Sequence, residues 1–175
     1  MIVNFQDQLY FFRKILEVIK EMFPGSNPVI GGGCLRDAYH GRPIKDVDVF
    51  MRAQDHPNGL AHPLVKMVIP EHIGLYALRS DMHGVWDVLF PVQGFDVQLI
   101  AAEFDTLEDL ASTFDLGLSR ITYDGINIYI HPDFEQDSKD RVFRICRADD
   151  DGQTLRSERR IERLLSKYPD FKKAA

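Results

Sequence analysis

Within twenty residues of this chain, two glycine turns and an arginine lead into a pair of closely spaced aspartates. The order is Gly31-Gly32-Gly33-Cys34-Leu35-Arg36-Asp37, then Gly41-Arg42-Pro43-Ile44-Lys45-Asp46-Val47-Asp48-Val49-Phe50. From Ile44 to Met51 polar and apolar residues alternate, the pattern of a strand with one buried face. Strand residues rise ~3.3 Å and alternate sides, so Asp46 and Asp48 point the same way from backbone positions roughly 6–7 Å apart. Carboxylates so placed could converge on two divalent ions ~3.5–4 Å apart, a spacing that polarises an attacking hydroxyl and a leaving phosphate. Two Mg²⁺ ions fit best, because magnesium needs only one or two carboxylates when substrate phosphates complete its shell.

A third carboxylate on an adjacent strand would complete such a site. Asp96 is the first choice, a lone acid in the apolar run Phe95-Asp96-Val97-Gln98-Leu99-Ile100, and Asp87 is the second. It would ligate the ion that activates the nucleophile, or act as base. Gly32 and Gly33 suit close approach of backbone N–H groups to phosphate at a helix N-terminus. Arg36 is placed to pair with a triphosphate, Lys45 or Arg42 to add charge, and Asp37 to orient Arg36 or a ribose. The glycines match neither the dinucleotide fingerprint, since position 36 is arginine, nor a P-loop, since no Gly-Lys-Ser/Thr follows.

The elements that would position these residues are readable in order. Leu9, Phe12, Leu16, Ile19 and Phe23 recur at helical steps from about Asn4 to Phe23, and Pro24-Gly25-Ser26-Asn27-Pro28 stops that helix. Val29-Ile30 feeds the glycines, and Cys34 to His40 has helical composition. Arg52 to Glu71 is the least regular stretch: Leu64 to Ile69 suits either a strand or one helical turn. His56, His62 and His72 lack the spacing of a metal motif. Val85 to Phe90 and Phe95 to Ile100 read as a hairpin about Gln93-Gly94, and Leu118 to Tyr123 with Ile126 to Ile130 as another about Asp124-Gly125. Thr106 with Asp109 marks a capped helix start. His131 to Asp151 reads as irregular around Val142-Phe143-Arg144-Ile145. Thr154 to Tyr168 is a basic helix whose arginines form a solvated face, with Leu155, Ile161, Leu164 and Leu165 packing inward.

The chain has 175 residues, 45% hydrophobic and 27% charged, enough for one globular head at 1–150 with a short helical appendage at 151–175. No apolar run approaches the ~20 residues of a membrane span, and the first residues lack the basic start and apolar core of a signal peptide. Cys34 and Cys146 are too few and too far apart for a disulfide framework. A reduced, cytoplasmic chain is expected. A net charge of −6 argues against a wholly basic nucleic-acid surface and leans toward a small or protein substrate.

The ordered combination resembles the head domain of class II polymerase-β-like nucleotidyltransferases, the group of bacterial CCA-adding enzymes and poly(A) polymerases. Their Gly-Gly-x-Val-Arg-Asp, Gly-Arg and Asp-hydrophobic-Asp signature stands here as Gly32-Gly33-Cys34-Leu35-Arg36-Asp37, Gly41-Arg42 and Asp46-Val47-Asp48. A second segment, Thr113-Phe114-Asp115-Leu116-Gly117-Leu118-Ser119-Arg120 with Tyr123 following, is similar to the family's Arg-Arg-Asp-Phe-Thr-x-Asn segment. Serine replaces asparagine at 119, and the paired arginines are missing. By this resemblance Asp115 and Ser119 help hold the nucleotide. The resemblance runs from about Val29 to Ile130, and it extends to small phage-encoded relatives that carry a Lys-Tyr-Pro tail, here Lys167-Tyr168-Pro169.

The resemblance implies an α+β, nucleotidyltransferase (polymerase-β palm-like) fold: a mixed antiparallel sheet with helices packed on one face and a short C-terminal helical appendage. It also implies transfer of a nucleoside monophosphate from a triphosphate, ATP or CTP, to an acceptor hydroxyl on tRNA, other RNA, a host protein or a small molecule. The domains that read the base and hold tRNA in CCA-adding enzymes have no room here, and their Glu-Asp-x-x-Arg motif is absent. A nucleotide sensor or phage–host interaction protein that keeps the fold without catalysis is the alternative.

Overall fold

The computed structural model describes residues 4–68 and 82–174. His72, and Ile69 at the end of the ambiguous Leu64 run, lie outside them. Helix α1 (Phe5–Met22) is capped by Asn4, whose side chain accepts from the Asp7 amide at 2.9 Å. It buries Leu9, Phe12, Ile15, Leu16 and Ile19, a single stripe at three- and four-residue steps. Strand β1 (Val29–Gly31), helix α2 (Gly33–Tyr39) and strand β2 (Asp46–Arg52) carry the glycine–aspartate signature.

Strands β3 (Val65–Met67), β4 (Met82–Val88) and β5 (Asp96–Ala102) follow, then helix α3 (Leu107–Ser112), β6 (Ile121–Tyr123) and β7 (Ile128–Ile130). These seven strands form one sheet in the order β3-β4-β5-β2-β1-β6-β7. Every pairing is antiparallel except β2 with β5, which is parallel and sets Asp46 beside Asp96 and Asp48 beside Gln98. The fold is α+β with a mixed sheet.

Period-two alternation sorts the side chains of β2 and β5 onto two faces. Val47, Val49 and Met51 with Val97, Leu99 and Ala101 bury against α1 and α2 in the main core. Phe50, Ile100 and Ala102 bury on the other face with Phe104, Leu110 and Phe114. Helices therefore cover both faces rather than the one expected, with the short α3 on the second, because β2 and β5 carry apolar residues on both sides once past Asp48 and Gln98.

The Gln93-Gly94 turn forms as expected, with both residues at positive φ (53° and 83°) and Val92 and Phe95 exchanging amide bonds of 2.9 and 3.0 Å. The other hairpin is wider. Asp124 accepts from the Ile126 and Asn127 amides at 2.8 and 2.6 Å, so its loop holds four residues rather than two, and 117–119 is a 3₁₀ turn rather than strand.

The segment expected to be irregular contains helix α4 (Pro132–Asp140) and strand β8 (Val142–Phe143). His131 caps α4 and proline takes its first turn, a start signal legible in the sequence. Helix α5 (Asp151–Lys167) leads to β9 (Lys172–Lys173), which pairs with β8. Leu116, Leu118, Phe143, Ile161, Tyr168 and Phe171 form a third apolar cluster that seats α5 on the rest of the molecule. Among the described residues, no helix is long and apolar enough to cross a membrane.

Candidate functional site

At the start of β2 a cleft of about 450 Å³ opens between α2 and α5. Asp46, Asp48 and Gln98 line its floor, Gly33, Cys34, Arg36 and Asp37 one side, and the polar face of α5 the other. The side chain of Asp46 is half exposed, and Lys45 Nζ stands 3.5 Å from its Oδ2.

Gly31 and Gly32 work through packing, whereas Gly33 lines the cleft. Gly32 has φ 80°, a conformation that favours glycine, and its amide donates to Ile121 O at 3.0 Å, so that N–H serves the sheet. A Cβ on Gly31 would lie 2.9 Å from Cζ of Phe114. Both glycines thus let the chain pass close under β6 and Phe114 before turning into α2.

Arg36 is almost enclosed, with 4% exposure. Its Nε and Nη2 donate to Asp37 Oδ1 at 3.0 and 2.9 Å, and its Nη1 donates to Ser119 Oγ at 3.4 Å. Asp37 also accepts from Tyr168 Oη at 2.7 Å and from Lys167 Nζ at 2.5 Å. Two cations therefore surround one buried carboxylate at the cleft wall, and both matched motifs meet the Lys167-Tyr168 tail there. Burial, then the charge of Arg36, shifts the surroundings: the Tyr168 phenol is pushed up chiefly by burial, and His40 is pushed down to about 4 by burial and by the Arg36 and Arg42 guanidiniums. The buried Cys34 thiol is pushed up by burial and by the Asp48 charge, which keeps it protonated and inert.

Asp115 is turned toward α5. Its Oδ2 accepts from Ser157 Oγ at 2.7 Å, and its Oδ1 from Arg160 Nη1 at 2.9 Å and from the Leu116 amide at 3.0 Å. Ser119 is fully buried behind Arg36 and is not part of the cleft lining. Ser119 thus holds Arg36 in place, while Asp115 holds α5 and also lines the cleft.

The basic helix expected to be a solvated face instead forms a wall. Gln153, Arg156, Ser157, Arg160, Leu164 and Lys167 recur at helical steps along the side that meets the cleft. The signal was present in the sequence, since Arg156, Arg160, Arg163 and Lys167 follow one another at four, three and four residues.

The expected third carboxylate, Asp96, stands on the strand next to Asp46, outside the residues that line the cleft. Asp96 is exposed and level with Asp46, but Gln98, not an acid, lies beside Asp48 in the cleft. Asp87 accepts from Gln98 Nε2 at 2.8 Å. Among the described residues no group of three His, Cys, Asp or Glu gathers to hold a metal. Two carboxylates on one strand face, beside a Cys34 thiol that burial keeps protonated, still suit magnesium, whose other ligands are phosphate and water oxygens.

A larger cavity, about 830 Å³, lies beyond the C-terminal ends of β2 and β5, with Trp86 and His56 in its wall. In its wall His83 pairs with Glu103 at 2.7 Å, and Asp105 pairs with Arg52 at 2.8 Å. The chemistry-bearing residues face the smaller cleft.

Solved structures with a similar fold include CCA-adding enzymes and a tRNA nucleotidyltransferase. The Bacillus stearothermophilus CCA-adding enzyme in complex with CTP matches with a TM-score of 0.63 and 20% identity, over 94% of this chain and 41% of that one. A CCA-adding enzyme in apo form I matches at 0.60 and 16%, over 96% and 40%. A tRNA nucleotidyltransferase complexed with a primer tRNA and an incoming ATP analog matches at 0.52 and 19%, over 91% and 46%. The chain spans less than half the length of each, and at these identities the likeness establishes the fold. No curated protein matches the chain. A family model described as Gabija anti-defense 2 family protein matches residues 5–141, which takes in α1, the whole sheet and α4, and on that match the chain belongs to the Gabija anti-defense 2 family.

Proposed function

We propose that the cleft binds a nucleoside triphosphate and transfers its nucleoside monophosphate to an acceptor hydroxyl, releasing pyrophosphate. The observation that carries this is the Asp46–Asp48 pair on one strand face, directly across a nucleotide-sized cleft from a cationic helix. A carboxylate pair alone is a poor guide; a pair opposed by guanidiniums is what a phosphate chain and its counter-ion need.

Each residue then has a role. Asp46 and Asp48 hold the metal end of the site. Arg36 and Lys167, held by Asp37, give the wall beside the phosphates a net positive charge. Lys45, almost fully exposed, adds charge at the mouth. Magnesium, bound by Asp46 and Asp48 with phosphate oxygens, would supply charge neutralisation and orientation of the reacting groups. The acceptor oxygen bonds to the α-phosphorus as the bond to the bridging α–β oxygen breaks, and the exposed Asp96 takes the acceptor proton. Residues 1–150 carry this chemistry and 151–175 complete the cleft. ATP or CTP is the favoured donor, by analogy with the CTP and ATP-analog complexes of similar fold. The acceptor is RNA or a host protein, met in the host cytoplasm.

The test is transfer of label from each α-labelled triphosphate, with magnesium, into an RNA pool and a host lysate. Wild type should label one acceptor class, and Asp46→Ala with Asp48→Ala should lower the rate at least ~100-fold. A folded double variant that labels at the wild-type rate would falsify the assignment.

One observation favours a second reading, a nucleotide sensor without turnover: Asp96, the expected third carboxylate, is not among the residues lining the cleft, where Gln98 stands beside Asp48. Magnesium-dependent binding of a triphosphate with no label transfer to any acceptor would decide for it.

A further inference from the structure

Helix α5 brings four cations to the cleft: Arg156, Arg160, Arg163 and Lys167. Two of them are engaged in holding the helix, Arg160 with Asp115 at 2.9 Å and Lys167 with Asp37 at 2.5 Å. The guanidiniums of Arg156 and Arg163 have no ion-pair or hydrogen-bond partner among the described residues, although both line the cleft. They are seven positions apart, so they share a helix face about 10 Å apart along the axis. The chain as a whole is acidic, at −6, so a patch of unbalanced positive charge is not a by-product of composition.

A guanidinium presents a planar fork that matches phosphate oxygens in bidentate fashion. Two forks two helical turns apart, reaching over one cleft, suit a ligand with anionic groups in a row better than a single phosphate. The floor opposite them carries Asp46 and Asp48, which would repel a bare polyanion, so the anion must arrive with a divalent counter-ion.

We propose that Arg156 and Arg163 form a polyphosphate clamp, through which α5 selects a nucleoside triphosphate over the mono- and diphosphate. The proposal deepens the nucleotide-transfer reading and rests on it. Asp115 and Asp37 fix the helix, and the two free arginines grip the β- and γ-phosphates from the side opposite the carboxylates. This gives the C-terminal segment a binding function.

Titration calorimetry in magnesium would measure binding of a non-hydrolysable triphosphate analogue, the matching mono- and diphosphates and inorganic tripolyphosphate. The proteins are wild type, Arg156→Gln, Arg163→Gln, the double variant and Arg159→Gln. Arg159 is exposed on the same helix but outside the cleft lining, which makes it the control for general charge. Each single clamp variant should weaken triphosphate and tripolyphosphate binding about tenfold, and the double variant about a hundredfold. Monophosphate binding should barely change, so the preference for triphosphate collapses. Arg159→Gln should match wild type, and unchanged circular dichroism would confirm that the variants fold.

A double variant that binds the triphosphate as tightly as wild type overturns the clamp while leaving the nucleotide site in place. Wild type that binds neither triphosphate nor tripolyphosphate overturns both. Equal losses in Arg159→Gln and the clamp variants reduce the effect to overall charge and also overturn the clamp.

Discussion

Replacing Asp115 with alanine should loosen helix α5 without touching the cleft floor. The carboxylate accepts a charge-assisted bond from Arg160 at 2.9 Å and a hydroxyl bond from Ser157 at 2.7 Å. Its side chain is 14% exposed and that of Arg160 24%, so neither group is fully rehydrated while the helix stays docked. Both bonds end on the carboxylate, and a bond to a charged group is worth about 1.5–3 kcal/mol. Partial access of Arg160 to water discounts the sum, leaving roughly 2–4 kcal/mol. For a chain of this size that corresponds to a fall in Tm of roughly 4–15 °C if unfolding is cooperative. Hydrogen exchange gives the sharper readout: amides of Gln153 to Lys167 should lose protection before those of β2 and β5. Asp115→Asn keeps an oxygen for Arg160 and an amide for Ser157 and should cost about half as much. Wild-type protection across α5 in Asp115→Ala, with an unchanged Tm, would refute the role given to this carboxylate.

Further expectations concern pH and packing. His40, pushed down to about 4 by burial and the neighbouring guanidiniums, packs its ring against Phe134, Tyr168 and Phe171. The unfolded chain takes up its proton near 6.5, so stability held above that pH should decline as pH falls toward 4, by on the order of 1–3 kcal/mol. Urea titrations at pH 7 and 4.5 check this, and His40→Gln should flatten the difference. Asp137 has the opposite sign. Fully buried, ion-paired with Arg144 at 3.3 Å and pushed up to about 6 by burial, it favours the folded state when protonated, and that gain disappears as pH rises from about 4 to 6. Asp137→Asn should therefore raise the Tm at pH 7.5 and leave it near wild type at pH 4. Gly31→Ala should cost about 1–3 kcal/mol, because its Cβ would meet the Phe114 ring at 2.9 Å and push the segment that bears Asp115; a neutral result by thermal melting would argue that Phe114 can give way freely.

Features encoded by neighbours a few residues apart were legible in the chain itself. The alternation around Val47 and Val49 put Asp46 and Asp48 on one face, because strand periodicity is a local property. The α1 stripe, the Thr106–Asp109 capping box and the Gln93-Gly94 turn were legible for the same reason. Two local signals were missed: the His131-Pro132 start of α4, overshadowed by a polar helix with little apolar stripe, and the Asp124 side-chain turn, where side-chain bonds to the Ile126 and Asn127 amides widened a Asp-Gly hairpin.

The sequence alone thus determined that two carboxylates would share a strand face behind a glycine turn and an arginine. Only the tertiary structure decided what stands around them. The parallel pairing of β2 with β5 put Gln98 beside Asp48 and Asp96 beside Asp46, a matter of register between strands with no short connection. The ion pair of Lys167 with Asp37 joins residues 130 apart, and the Asp115 contacts with α5 span 42 and 45. Those contacts depend on how three apolar clusters pack, and no periodicity within one segment encodes that. They turn a basic helix that reads as solvent-facing into the wall opposite the aspartates.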